Sequence, residues 1–320
     1  MTSRHLVDPE LLPMLDLVPT LELSDALLPV LRSRERSLPL PPVAANDVVR
    51  RDVTVPGPAG APDVGLVIYT PPGSGPFPCI YHMHGGGYVS GSPGILEFMH
   101  RPLAETLGCV IVSVDYRLAP ETCFPGNIED CYAGLAWTAA HAGALIIDSA
   151  RIGVMGESAG GGLAAALALL ARDRGEIPLA FQALTFAMLD DRTCTRPPHP
   201  FAGEFLWTAH NNRYGWVSLL GHEPGAPETS PYAAPARATD LAALPPTVIL
   251  IGALDLFLDE NVDFARRLIG AGVATELHVY PGAFHGFDAW SEASVSRRAL
   301  ADRTRALRRL TTGEVETSLL

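Results

Sequence analysis

A serine flanked by small residues is the first candidate for chemistry in this chain. Positions 156–160 read Gly-Glu-Ser-Ala-Gly, with Ser158 at the centre, and they match the G-x-S-x-G pattern of a nucleophile at a sharp strand-to-helix turn. Such a turn strains the backbone, so the neighbouring residues must be small. The alternative is a glycine-serine turn that packs a helix closely onto a sheet. An apolar, strand-like run before the motif and a helical run after it favour a nucleophilic serine.

A serine nucleophile needs a base that removes its proton. The sequence has ten histidines. His285 stands in a loop just after the predicted strand 275–280, between glycines that let the side chain turn towards Ser158. His82 lies inside a predicted strand, which favours a place in the core or in support of the site, and His278 is interpreted as a surface residue. We therefore predict His285 as the base.

The base needs an acid to orient it, and in one of the known chain orders of such residues the acid lies between the serine and the histidine. Asp255 follows the predicted strand 248–251 and stands 30 residues before His285. That interval holds one helix and one strand, which is the connection that brings two neighbouring strand ends together. Asp259 and Glu260 compete for the role, but their simpler function is at the start of the next helix. Asp255 is the predicted orienting acid.

Donors for an oxyanion are sought next. Positions 84–87 read His-Gly-Gly-Gly and directly follow the predicted strand 77–83. Residues without side chains allow their backbone N–H groups to approach a substrate oxygen closely. The amide of Ala159, after the nucleophile, would supply the other side of the hole. The alternative for a glycine triplet is a flexible turn, and a phosphate-binding loop is disfavoured because no P-loop lysine follows.

The elements that must position these residues alternate along the chain. Residues 48–55 and 64–69 are predicted as paired strands, followed by an alternation of strands and helices. This alternation predicts an α/β fold with a mostly parallel sheet and helices on both faces. The further predicted strands are 77–83, 109–114, 151–155, 180–186, 248–251 and 275–280, and the predicted helices are 95–107, 128–141, 159–172, 260–269 and 294–310.

Three stretches break this alternation. Residues 1–46 predict two short amphipathic helices and a loop, as a packed extension or as part of a lid. Residues 197–220 are interpreted as a helical insertion, and residues 229–246 as a surface loop that returns to the sheet. Insertions above the carboxyl edge of a parallel sheet commonly shape the substrate site.

Composition excludes several classes of function. The chain has 320 residues, 48% of them hydrophobic, and a formal net charge of −12. That charge, without a Lys/Arg cluster, argues against nucleic acid and anionic membrane partners. The five cysteines lack C-x-x-C spacing and predict reduced thiols in a cytoplasmic protein without a metal site. The N-terminus lacks the apolar region of a secretory signal, and no apolar helix is long enough for stable membrane insertion.

Together, these motifs resemble α/β-hydrolases of the hormone-sensitive-lipase-like group, the bacterial family IV carboxylesterases. The resemblance covers nearly the whole chain from about residue 48. It implies an α/β-hydrolase fold with a helical cap and the hydrolysis of short- to medium-chain esters without a cofactor. It rests on positions 84–88, 115–121 with 124–125, 156–161, 188–192, 230–231 with 244–246, 255 with 259–260, and 285–287.

The resemblance also implies residue roles and domain limits. Ser158 would be the nucleophile, His285 the base and Asp255 the orienting acid, with Gly86, Gly87 and Ala159 as the oxyanion donors. Residues 1–46 and the insertion 188–225 would form the cap, and residues 47–187 and 226–320 the catalytic domain.

Some positions depart from the common form of this group, and other functions stay open. Glu157 replaces a frequent Asp, residues 256–258 replace Pro-Leu-Arg, and residues 186–187 replace Tyr-Pro. These departures put substrate preference in question rather than the reaction class. A small apolar ester is the expected substrate, an amide or lactone is the alternative, and a non-catalytic receptor on the same fold is a second alternative. The long final helix is a candidate surface for a homodimer.

Overall fold

The alternation of apolar strands and helices produces one eight-stranded sheet. The computed structural model describes residues 3–37 and 46–313. The strands lie in the order β1-β2-β4-β3-β5-β6-β7-β8. Their bounds are β1 (Val49–Val55), β2 (Val64–Thr70), β3 (Phe77–Met83), β4 (Val110–Asp115), β5 (Ile147–Glu157), β6 (Gln182–Thr185), β7 (Thr247–Gly252) and β8 (Thr275–Tyr280).

The sheet is mostly parallel, as predicted. β2 pairs antiparallel with β1 and with β4, and every other neighbouring pair is parallel. Each of the six residues of β7 is buried, which is typical of a parallel strand covered on both faces. Because the carboxyl ends of parallel strands share one edge, the loops after β3, β5, β7 and β8 are gathered there.

Helices flank the sheet in two groups. α5 (Ala159–Arg174) packs against α4 (Gly126–Ala140) and against β5, while α8 (Ser294–Thr312) packs against α3 (Glu97–Leu107) and contacts β3 and β7. α3, α5 and α8 are each followed by a glycine in the left-handed conformation, which ends the helix without steric cost. The helices are α1 (Leu12–Leu17), α2 (Leu28–Ser37), α3 (Glu97–Leu107), α4 (Gly126–Ala140), α5 (Ala159–Arg174), α6 (Ala209–Leu220), α7 (Leu258–Gly270) and α8 (Ser294–Thr312).

Several sequence-based boundaries need correction. The insertion is helical only in α6, since residues 197–208 form no α-helix. Residues 229–246 are not a surface loop throughout, because Ala234, Leu241 and Leu244 are buried. β5 begins at Ile147 rather than at residue 151. The predicted segments 1–46 and 226–320 lie partly outside the described residues, at 1–2, 38–45 and 314–320.

The N-terminal segment packs on the insertion through side chains with specific partners. The backbone amide of Leu23 donates to Asn211 Oδ1 at 2.8 Å, and Asn211 Nδ2 donates to the carbonyl oxygen of Leu21 at 2.7 Å. The Tyr214 hydroxyl donates to Asp25 at 2.9 Å. The N-terminal segment and the insertion, two of the three stretches that broke the sequence pattern, therefore contact each other.

The described residues also answer three questions that composition raised, on disulfides, on metal ligands and on helices that could cross a membrane. All five cysteines are free thiols, and Cys79, Cys109 and Cys131 are buried. Within residues 3–37 and 46–313, the structure contains no group of three or more side chains that could together bind a metal ion. In the same ranges no helix has the length and apolarity that crossing a bilayer requires.

Candidate active site

Ser158 stands at the turn between β5 and α5. Its backbone has φ 57° and ψ −121°, a strained conformation for a non-glycine residue. The Ser158 amide donates to the Thr185 carbonyl oxygen at 2.9 Å, which ties the turn to β6. A Cβ atom on Gly156 would lie 2.2 Å from the Gly160 carbonyl oxygen, and one on Gly160 would lie 2.1 Å from the Met83 carbonyl oxygen. These contacts explain why the turn needs glycine at both positions.

The structure brings the other two predicted residues to this serine. His285 Nε2 lies 2.9 Å from Ser158 Oγ, and His285 Nδ1 lies 2.9 Å from Asp255 Oδ2. Asp255 is fully buried, and its Oδ1 accepts the Phe257 amide at 2.9 Å. Three side chains distant in sequence thus form one continuous hydrogen-bonded chain.

The loops that carry the acid and the histidine are joined to each other. The Leu254 amide donates to the Ala283 carbonyl oxygen at 2.8 Å. A Cβ atom on Gly252 would lie 2.3 Å from that same oxygen, so the close approach of the two loops needs glycine there. This contact sets Asp255 opposite His285.

Aromatic side chains surround the histidine. The ring of His285 lies 4.8 Å from the Phe186 ring, 5.3 Å from Phe257 and 6.0 Å from Trp207, measured between centroids. Its side chain is only 11% exposed. A poorly hydrated environment strengthens the electrostatic interactions of a reacting group.

The glycine loop after β3 lies beside the serine. A Cβ atom on Gly85 would lie 3.5 Å from Ser158 Cβ. The Tyr116 hydroxyl donates to the His84 carbonyl oxygen at 2.7 Å, and the two rings stack at 4.3 Å. Burial lowers the pKa of His84 to about 4, which makes its imidazole neutral at physiological pH. Gly87 lies against the Trp207 ring, and Ala159 begins α5 directly after the serine.

A cavity of about 680 Å³ opens beside Ser158 and Gly86. It extends between α3 and α8, where apolar side chains form most of its wall, and the charged residues Glu35, Glu157, Asp288 and Arg303 also line it. A volume of this size suits a small molecule. The apolar wall includes Leu96, Phe98, Met99, Leu103 and Leu300.

A buried polar network lies next to Ser158, and the sequence did not predict it as a whole. Glu157 Oε2 lies 2.8 Å from His82 Nε2, and His82 Nδ1 lies 2.8 Å from Ser113 Oγ. Burial alone would raise the pKa of Glu157, but the interactions with His82 and Arg303 outweigh it, so that pKa is lowered. The position of His82 inside β3 was the only sequence signal of this support.

Glu260 and Asn261 have a task that sequence reasoning missed. Glu260 is buried in the first turn of α7 and accepts the Leu189 amide at 2.7 Å. Asn261 accepts the Ala187 amide at 3.2 Å and donates to the Ala187 carbonyl oxygen at 2.7 Å. These bonds fasten the segment after β6, whose Phe186 contacts His285. Asp259 is exposed, as a helix-start residue would be.

Comparisons with known proteins agree with this fold and site. A family model described as an alpha/beta hydrolase fold matches residues 80–289. Esterase LipI of Mycobacterium tuberculosis is 36% identical over 290 residues, which cover 88% of this chain and 88% of that protein. Carboxylesterase NlhH of the same organism is 34% identical over 316 residues and covers 95% and 98% of the two chains.

A solved structure is similar over almost the whole length. The structure of a bacterial heroin esterase has a TM-score of 0.91 and 41% identity, and the match covers 97% of this chain and 99% of that one. A parallel sheet with a serine turn at its carboxyl edge is the architecture of a hydrolase. The chain belongs to the α/β-hydrolase family. The expected resemblance to esterases is confirmed, and the reaction class is carboxylic ester hydrolysis.

Proposed function

We propose that the chain is a serine carboxylesterase that hydrolyses short- to medium-chain esters through an acyl-enzyme on Ser158. The observation that carries this proposal is the hydrogen-bonded chain from Ser158 Oγ through His285 to Asp255, with 2.9 Å at each step. A serine, a histidine and an acid in this order supply a nucleophile, a general base and an orienting group.

The first half of the reaction acylates the serine. His285 Nε2 accepts the proton of Ser158 Oγ as this oxygen bonds to the ester carbonyl carbon, and the carbonyl π electrons move onto the oxygen. Asp255 holds the Nδ1–H tautomer and stabilises the imidazolium. When the intermediate collapses, the C–O bond to the alcohol breaks, and the alcohol oxygen takes the proton from His285. The acyl group is left on Ser158.

The second half uses the same groups with water. His285 Nε2 takes a proton from a water molecule as the water oxygen bonds to the acyl carbon. Collapse of the second intermediate breaks the bond to Ser158 Oγ, which recovers its proton from His285. A carboxylic acid leaves. The amides of Gly86, Gly87 and Ala159 are the proposed donors to both oxyanions, and one such donor typically contributes about 2.7–4 kcal/mol to transition-state stabilisation.

The substrate class follows from the cavity beside the serine. Its volume of about 680 Å³ and its wall of aliphatic and aromatic side chains support a small apolar ester. The polar atoms of the ester then lie at Ser158 and Gly86, and the apolar part lies between α3 and α8. The reaction uses side chains and amides of this chain and needs no cofactor.

The cap and the cellular setting belong to the same proposal. Residues 1–46 and 188–225 would form a cap over a catalytic domain of residues 47–187 and 226–320. The hydrogen bonds of Leu23 with Asn211 and of Tyr214 with Asp25 support this division.

The five free thiols and the net charge of −12 support a cytoplasmic protein without nucleic acid partners. A homodimer through α8 is the proposed assembly.

The test is hydrolysis of p-nitrophenyl esters of increasing acyl length, with Ser158→Ala as the inactive variant. We expect activity that falls with long acyl chains, and a loss of at least about 10⁴-fold in kcat for Ser158→Ala. Ser74→Ala, at an exposed turn, is the matched control and should match the wild type. Activity in Ser158→Ala would refute the nucleophile. A folded wild type that cleaves only amides or lactones, or only binds them, would refute the esterase.

A further inference from the structure

The loop after β3 has four residues with positive φ, and one of them is not a glycine. Gly86, Gly87 and Gly91 have φ values of 113°, 62° and 92°, and Tyr88 has φ 67°. The left-handed region is disfavoured for a bulky residue such as tyrosine. Strained conformations persist only where surrounding structure holds them. The contacts that hold residues 86–91 therefore decide where the amides of this loop point.

One end of this loop is held by Arg32 of α2. Arg32 Nε donates to the Val89 carbonyl oxygen at 2.7 Å, and Arg32 Nη2 donates to the Ala119 carbonyl oxygen at 2.7 Å. The Ala119 amide in turn donates to the Tyr88 carbonyl oxygen at 2.9 Å. Glu121 accepts from Arg32 Nη1 at 2.8 Å and so orients the guanidinium. A single side chain thus reaches two consecutive carbonyls of the loop, one directly and one through Ala119.

The other end is held by Glu35, which lies one helical turn further along α2. Its Oε2 accepts the Gly91 amide at 3.0 Å. Residues three apart share one face of a helix, so Arg32 and Glu35 both face the loop. Leu28 of α2 packs in the same small apolar cluster as Val89 and Ala119. Polar and apolar contacts of α2 therefore meet on one segment.

The held segment is connected to the peptide group that matters for catalysis. The Val89 and Ser90 amides donate to the Gly86 carbonyl oxygen at 3.1 and 3.0 Å, and the Ser90 hydroxyl donates to it at 3.1 Å. The Gly86 carbonyl and the Gly87 N–H belong to one planar peptide unit. Fixing the carbonyl oxygen through residues 89 and 90 therefore fixes the direction of the Gly87 N–H.

We propose that Arg32 and Glu35 are positioning residues of the esterase reaction: docking of α2 sets the Gly86–Gly87 peptide that donates to the oxyanion. The inference rests on the proposed function, since it concerns the donors of that reaction. Neither residue touches the reacting atoms. When α2 is docked and encloses the substrate, the oxyanion hole is formed. When α2 is displaced, Ser158 is still in place, but the Gly87 N–H no longer points at the oxyanion. Closure of the N-terminal segment and catalytic competence are thereby coupled.

The test compares four variants on one ester. Arg32→Ala is the cleanest, because Arg32 does not line the cavity, whereas Glu35 does. Glu35→Ala removes the acceptor for the Gly91 amide, and Glu35→Gln restores one through its amide oxygen. Arg34→Ala changes an exposed residue of the same helix and is the matched control. The measurements are kcat, KM, thermal unfolding, and the inhibition constant of a trifluoromethyl ketone, whose adduct with Ser158 places an anionic oxygen in the hole.

We expect kcat to fall by about tenfold to a hundredfold in Arg32→Ala and Glu35→Ala, because a small misplacement of a catalytic group is costly. The ketone should bind more weakly by a similar factor, while KM changes less than about threefold. Glu35→Gln should recover most of the kcat that Glu35→Ala loses, because its amide oxygen can accept the Gly91 amide, and Arg34→Ala should stay near the wild type.

Two results would overturn the inference. One is a folded Arg32→Ala that keeps the wild-type kcat and ketone affinity, even if KM rises, since α2 would then only enclose substrate. The other is an equal loss in Arg34→Ala, which would indicate a general disturbance of the helix. An inactive wild type would refute the proposed function instead, so the two failures are distinguishable.

Discussion

Asp255 has a separate partner for each of its carboxylate oxygens. Oδ2 faces His285 Nδ1 and Oδ1 accepts the Phe257 amide, so the side chain is fixed in a fully buried position. In Asp255→Asn the amide replaces an acceptor by a donor and favours the wrong tautomer of His285. We expect kcat to fall by about 10⁴-fold, measured on a p-nitrophenyl ester.

Asp259→Asn provides the matched control for this change. Asp259 is the nearby acid that competes with Asp255 in the sequence, and it is exposed in the first turn of α7. Its substitution should leave kcat within about twofold, because it removes only an interaction with the helix dipole. A larger loss in Asp259→Asn than in Asp255→Asn would contradict the assignment of the acid.

The sequence predicted these individual residues because each stands at a strand end. A serine turn, a histidine loop and an acid after successive strands must meet at one edge of a parallel sheet. The support around them could not be predicted in this way. Glu157 pairs with His82, 75 positions earlier in the chain, and the pairing depends on the register of β3 beside β5. That register is a property of the folded sheet.

At the scale of elements, α7 is fastened to the segment after β6 by a buried carboxyl group. Glu260 accepts the Leu189 amide and pairs with the Thr193 hydroxyl. Burial raises the pKa of Glu260 well above its ordinary value, although both hydrogen bonds oppose this effect. Asp190 nearby raises it further. The folded state therefore favours the protonated form.

The pH dependence of stability follows from this direction. A pKa that is higher in the folded state gives stability that is complete below the unfolded pKa of about 4.3 and is lost as pH rises through the folded pKa. Glu260→Gln cannot titrate and keeps a similar shape. We therefore expect the free energy of unfolding of Glu260→Gln, relative to the wild type, to increase between pH 5 and pH 8, measured by urea denaturation.

Glu228→Gln is the control for this experiment, because Glu228 is exposed. Its stability relative to the wild type should change little over the same pH range. If Glu260→Gln followed the wild-type pH dependence, Glu260 would be ionised in the folded protein, and the raised pKa would be refuted.

The elements themselves differed in how well the sequence predicted them. The alternating strands and helices were found because buried strands are short apolar runs between turn residues. Residues 197–208 were expected to be helical and are not, since prolines and aromatic residues there pack without a helical repeat. Residues 229–246 were expected at the surface, yet Ala234, Leu241 and Leu244 are buried, and Arg267 of α7 donates to the Ala236 carbonyl oxygen. Such packing depends on neighbours distant in the chain.

At the scale of the whole molecule, Arg303 joins α8 to both loops of the site. Its guanidinium Nη1 lies 3.8 Å from Glu157 Oε1 and 3.6 Å from Asp288 Oδ2, and its side chain is only 5% exposed. Glu157 precedes the serine and Asp288 follows the histidine loop. One cation from the C-terminal helix therefore balances a carboxylate on each side of the site.

Removing this cation should destabilise the entire fold rather than one loop. In Arg303→Met the buried Glu157 and the half-buried Asp288 lose their shared counter-charge, and breaking a buried ion pair typically costs about 3–5 kcal/mol. Arg305→Met on the same helix removes a pair between the exposed Arg305 and Asp302, and a pair at the surface contributes at most about 1 kcal/mol. We expect urea denaturation to show this difference between the two variants. Equal, small losses would mean that solvent compensates the carboxylates, and Arg303 would then not be the link between α8 and the site.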